Sequence, residues 1–188
     1  MSDTLERPGG QARLWPALSG ATLLTILLGG VAAVIVWEIW ARVITPLWIG
    51  GPLEPAGLIQ AVFGLNDRTL PEMLPLAVPL GLSARDVAEI LHFIVGLIGY
   101  PIGYIFIARP IAGAILPGLP WWVVSLLYGV ALWVFALYVM AHLAAGFPPF
   151  LGFGQLTWAS LVGHVLFALA LGAVVRARMG AFVGTRHD

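Results

Sequence analysis

The sequence predicts an all-α integral membrane protein of four transmembrane helices, with a long Pro-rich periplasmic interfacial loop between spans 1 and 2. Three observations predict it. Of 188 residues, 60% are apolar and only 10% charged, whereas an ordinary soluble domain is charged at about a quarter of its positions. Uncharged runs of 24 residues between Arg13 and Glu38 and of 66 residues between Arg109 and Arg176 need lipid as their solvent. Trp and Arg gather at the ends of these runs, as they do at a bilayer interface.

The formal net charge is zero, so no basic surface exists to attract nucleic acid, and membrane lipids and other membrane-protein subunits are the expected partners. The absence of Cys removes disulfides, thiolate metal sites, iron–sulfur clusters and covalent c-type haem. All nine basic residues are Arg, and Asn occurs once. That bias suggests a GC-rich bacterial genome and hence an inner (cytoplasmic) membrane.

Taken in order, Met1 to Arg13 reads as a short retained tail without a cleavage site. A first span covers about 18–39, roughly the thickness of the hydrocarbon core at 1.5 Å per residue. Glu38 and Arg42 then stand at i,i+4, in the favourable order for an ion pair at the far interface beside Trp37, Trp40 and Trp48. Residues 49–86 carry five Pro and six charged residues and form the interfacial loop, in which 56–65 suits a short helix lying on the membrane and 70–82 is too Pro-broken to cross. Ser83 with Asp86 makes a helix-start signal for a second span over about 87–107, kinked by Pro101. Arg109, Pro110, Pro117 and Pro120 mark a tight turn. The third span covers about 121–145, Gly146 to Gly154 turns the chain, and the fourth covers about 157–175, which makes 1–188 a single four-helix membrane domain.

Orientation follows from the arginines. Four spans put both termini on one side, with Arg7, Arg13, Arg109, Arg176, Arg178 and Arg186 there and Arg42, Arg68 and Arg85 opposite, so both termini are expected in the cytoplasm. The tryptophans agree, with Trp15, Trp121 and Trp122 at the inner interface, Trp37, Trp40, Trp48 and Trp158 at the outer one, and Trp133 at mid-depth.

Polar and small residues inside the spans fall on stripes. Glu89, His92, Gly96, Gly99 and Gly103 share one face of a regular second helix, and Ser160, His164, Ala168 and Gly172 repeat every four residues on the fourth. Gly99-x-x-x-Gly103 and Ala168-x-x-x-Gly172 let backbones approach closely, so these stripes are expected to pack the second span against the fourth. His92 and His164 lie roughly 7 to 10 Å below the outer ends of their spans, and His142 stands near the outer end of the third. Four readings of this cluster stay open: interhelical hydrogen bonds among His92, His164, Glu89 and backbone carbonyls; bis-imidazole ligation of haem b; a carboxylate–imidazole metal element in Glu89-x-x-His92, short of carboxylate partners apart from Glu38; and a quinone or proton-relay site. No metal ligand set is complete. Motifs of nucleotide-binding, serine-hydrolase and zinc-protease enzymes are absent, and the chain is read as not an enzyme by itself.

His92-Phe93 in the second span, Gly129-x-x-x-Trp133 in the third and Gly163-His164 in the fourth resemble the short motifs of a loosely defined group of small four-span bacterial inner-membrane proteins. The resemblance covers about the last hundred residues and implies only the four-span architecture.

Small size, missing catalytic motifs and abundant aromatic and Gly-lined surface lead to a first functional expectation: a non-catalytic accessory subunit of a larger energy-transducing membrane complex, in a respiratory or photosynthetic electron-transport assembly. The alternative is a stand-alone membrane binder or carrier of haem, metal or quinone built on the outer-side His cluster.

Overall fold

The computed structural model describes residues 15–180. The expectations for Met1 to Arg13, and the counts on Arg7, Arg13 and Arg186, lie outside the described residues. Four helices are long and apolar enough to span a bilayer, α1 (Gly20–Ile49), α4 (Ala84–Ile115), α5 (Trp121–Ala144) and α6 (Gln155–Met179). Between α1 and α4 lie two short helices, α2 (Ala56–Phe63) and α3 (Leu70–Met73). Among the described residues there is no strand.

Ser19 starts α1 by accepting the amide of Thr22 on its hydroxyl, 3.2 Å away. The helix runs ten residues past the expected end at Ile39, through one π turn over Trp40–Ile44, and stops at Gly50, whose φ of 79° is open to glycine at little cost. Charge does not end it, because the Arg42 side chain pairs with Glu38 one turn back and with Glu89 of α4 at 3.3 Å. Thr45 also folds its hydroxyl onto the carbonyls of Trp40 and Ala41, which satisfies backbone acceptors where the π turn disturbs the ladder. At 30 residues α1 is about 45 Å long, longer than the roughly 30 Å hydrocarbon core.

The segment from Gly50 to Ser83 folds back as a cap. Ala56, Leu65, Leu70 and Ala77 bury against Ala84, Val87 and Ala88 of α4 as a small satellite core. Asn66 closes its turn by accepting the amides of Arg68 and Thr69 on Oδ1. Asp67 Oδ1 accepts the amide of Ala84 at 2.9 Å, and Ser83 and Asp86 form a reciprocal capping box, so the cap and the start of α4 share hydrogen bonds that neither can complete alone. The short helix expected over 56–65 is α2.

The expected end of the second span near Ile107, with a turn at Arg109 and Pro110, is corrected: α4 continues to Ile115. Pro101 and Pro110 both lie inside it, and neither has an amide hydrogen for the carbonyl four residues earlier. The helix absorbs them with π turns over Val95–Gly99 and Tyr104–Ala108. The carbonyls four residues before the prolines face neighbours: that of Leu97 lies against Gly30 of α1, and that of Phe106 accepts the indole N–H of Trp15 at 3.1 Å. Such local repair is how membrane helices tolerate proline.

α6 is the central helix, packed along its length on α1 and α5, whereas α4 packs mainly on α1. The expected broad packing of the second span on the fourth is therefore corrected. Gly29 against Leu171, Gly129 against the backbone of His164 and Val165, and Gly163 against the rings of Trp37 and Trp40 make the close approaches around α6. A Cβ at Gly129 or Gly163 would come within 2.7 or 2.8 Å of these atoms, so the approach depends on glycine. The indoles of Trp40 and Trp133 donate to the carbonyls of Ala159 and Thr157, which pins the cap-side end of α6.

Candidate functional site

α4 and α5 meet in the half of the bundle away from the cap and part toward it. At the closed end Tyr104 and Ser125 share a hydrogen bond of 2.8 Å, and Tyr128 donates to the carbonyl of Tyr100 at 2.7 Å. Toward the cap, α2 reaches from α4 across to the last turns of α5. Under it lies a cavity of about 470 Å3, within the range of roughly 300–1,000 Å3 usual for small-molecule sites.

Leu58, Ile59 and Val62 of α2 roof this cavity. Its walls are Phe93 and Val95 of α4 and Phe135 and Met140 of α5, while Trp37, Phe167 and His164 close the inner side. Phe93, Val95 and Phe135 belong at the same time to the exposed surface of the spanning helices. The cavity therefore borders the exposed apolar surface between α4 and α5.

Polar atoms are few and grouped. Trp37 is 7% exposed and lies between helices. Its ring packs on His164 with centroids 5.0 Å apart and on His92 at 5.8 Å. No hydrogen bond or ring contact joins His92 to His164; in place of the expected hydrogen bond between them, the two imidazoles share one indole. His164 Nδ1 is held by the carbonyl of Ser160 at 2.8 Å and by the Ser160 hydroxyl at 3.3 Å, one turn back on α6. Among the described residues, two buried side-chain polar atoms have no hydrogen-bond partner, Trp37 Nε1 and His92 Nδ1. Both residues line the cavity.

The remaining expected site residues separate. Glu89 turns to Arg42 and with Glu38 makes an ion-pair network on the α1–α4 surface. His142 lies apart, with Nδ1 on the carbonyl of Phe147 at 2.8 Å and its ring near Tyr138, where it ties the end of α5 to the following turn. The α6 stripe stays on the buried side of a regular helix: Ser160 and His164 reach the cavity, Ala168 is fully buried, and Gly172 leaves room for Ser125 and Tyr104. The α4 stripe does not survive. Gly96 faces Val34 and Phe167, Gly103 faces the Tyr128 hydroxyl, and Gly99 is exposed with only its own helix beside it. Each π turn adds a residue to the local repeat and rotates the residues beyond it off the face that a 3.6-residue period assigns.

Trp37, Gly30 and Gly163 were missed by reading polar stripes. The tandem Gly29-Gly30 in an otherwise bulky span was the available signal for the α1 approach; Trp37 had none, since a tryptophan near a span end reads first as an interfacial anchor. Among the described residues no group of three or more His, Cys, Asp or Glu is placed to hold a metal ion.

Fold and site together define an all-α, four-span membrane-helix protein with a capped cavity beside the exposed apolar surface of its helices. Compared with family models, curated proteins and solved structures, the chain matches none.

Proposed function

We propose that this protein binds a lipid-soluble small molecule in the cavity under the cap, from a bacterial inner membrane with both termini in the cytoplasm. One observation carries the reading: a largely apolar cavity of about 470 Å3 borders the exposed apolar surface between α4 and α5. A ligand arriving through the bilayer reaches such a site without crossing water, and the few polar groups orient it. The role is binding or carriage, not catalysis by this chain alone. An accessory-subunit role in an electron-transport complex rests on the exposed apolar helix faces, which lipid covers equally well, so the cavity is the more specific support.

The test is extraction and mass spectrometry of small molecules from protein purified in native lipid discs. A compound held near one per chain, and lost in the cavity-filling variant Ala136→Trp, is the expected result. Recovery of bulk phospholipid alone, unchanged in that variant, with a stoichiometric partner protein instead, would favour the accessory-subunit reading.

A further inference from the structure

Charge is divided unevenly between the two ends of the bundle. Among the described residues, all six carboxylates, Glu38, Glu54, Asp67, Glu72, Asp86 and Glu89, lie in the cap or in the cap-side half of a spanning helix. Arg42, Arg68 and Arg85 share that half, and two of them are ion-paired, Arg42 with Glu38 and Glu89 and Arg85 with Glu54. The end away from the cap holds Arg109, Arg176 and Arg178 and, among the described residues, no carboxylate. Such a one-signed surface attracts an anionic partner.

Arg178 is held in place at this end. Its Nε donates at 3.1 Å to the hydroxyl of Thr25 on α1, and that hydroxyl donates to the carbonyl of Ala21 at 2.7 Å. Thr25 is 2% exposed, so it anchors the guanidinium across the seam between α1 and α6 while the arginine itself stays on the surface. Only the Nε–H is used there, which leaves the N–H donors of both terminal nitrogens for a ligand. A side chain ordered in advance lowers the entropy that binding must offset. Arg109 donates to the carbonyls of Met179 and Gly180, which sets a second guanidinium at the same end of α6, and exposed Arg176 lies about half a turn before Arg178.

An apolar track runs beside this anchor. Leu24, Leu28, Val31 and Ile35 of α1 are 42 to 53% exposed. In a regular helix their spacing forms one stripe, about a quarter-turn around α1 from Thr25. The stripe is about 16 Å long, close to half of the roughly 30 Å hydrocarbon core and so to the depth of one leaflet. A free anion uses the cation alone, whereas a phospholipid uses the cation and the stripe together. The ammonium of a zwitterionic head meets the positive field of Arg109 and Arg176, so a head of net negative charge fits better. We propose that the end away from the cap binds an anionic phospholipid, its phosphate on Arg178 at the α1–α6 seam and an acyl chain along the Leu24–Ile35 stripe.

The experiment is a lipid titration of the full chain in detergent, read by native mass spectrometry, with dioleoyl phosphatidylglycerol and dioleoyl phosphatidylcholine. Phosphatidylglycerol should bind at least about fivefold tighter, the factor that one arginine supplies near anionic lipid. Arg178→Gln should weaken phosphatidylglycerol about fivefold and leave phosphatidylcholine unchanged, the second lipid reporting that the variant is folded. Arg85→Gln, at the cap, should leave both unchanged. Equal binding of the two lipids by the wild type would overturn the anionic assignment. Equal losses in Arg178→Gln and Arg85→Gln would overturn the site, because net charge alone would then account for the preference. Displacement of phosphatidylglycerol by an equal concentration of inorganic phosphate would overturn the lipid as occupant and leave a free anion in its place.

Discussion

The indole N–H of Trp15 donates at 3.1 Å to the carbonyl of Phe106, four residues before Pro110, which has no amide hydrogen to offer it. The contact lets α4 run on past Arg109, and it ties the residues preceding α1 to the far end of another span.

Replacing Trp15 with Phe should cost about 0.5 to 1 kcal/mol of bundle stability in the native sequence. In a Pro110→Ala background, where residue 110 regains an amide hydrogen, the same change should cost almost nothing. Equilibrium unfolding of the four members of this double-mutant cycle measures the coupling. Equal costs in both backgrounds would mean that the indole does not compensate for proline.

Gly30 and Gly99 should respond in opposite ways. A Cβ at Gly30 would lie 2.0 Å from the carbonyl oxygen of Leu97, so Gly30→Ala must part α1 from α4, at about 1 to 3 kcal/mol or more. Gly99 faces only Val95 of its own helix at 3.8 Å, and Gly99→Ala should be neutral or stabilising by up to about 1 kcal/mol. Thermal unfolding of the two variants in one detergent compares them. The polar-stripe argument from sequence gives the reverse order.

Asp67→Ala should remove the acceptor for the Ala84 amide and cost about 0.5 to 2 kcal/mol, the usual worth of a helix cap. Hydrogen exchange should quicken over the cap and the first turn of α4 while the middle of α6 keeps its protection. Uniform quickening throughout the bundle would show that the cap is not a separate unit.

Reporter fusions after Asp188 and within the loop at Asn66 should fall in opposite compartments, with the terminal fusion cytoplasmic. The expectation rests on the six-to-three division of arginines across four spans. Both reporters on one side would require an even number of crossings between them in place of three.

Much of the fold was legible because its signals are local. Spanning length and apolar content register residue by residue along one segment, and the Ser83–Asp86 capping box joins groups three residues apart. The α6 stripe of Ser160, His164, Ala168 and Gly172 stays buried because that helix is regular along its length. The α4 stripe scattered because the π turns at Val95–Gly99 and Tyr104–Ala108 reset the angular repeat, and a fixed 3.6-residue period cannot anticipate them.

The sequence by itself determined that the chain is all-helical with four apolar spans, where each could start, and which residues were small enough for helices to touch. The tertiary structure alone decided which helices meet, that Trp37 and not a second histidine contacts His92, and that a cavity lies under the cap between α4 and α5. The physical reason is range. Hydropathy and capping act within a turn or two of one helix, whereas partner choice in lipid comes from matching surfaces far apart in the chain, as when Gly30 admits the carbonyl of Leu97.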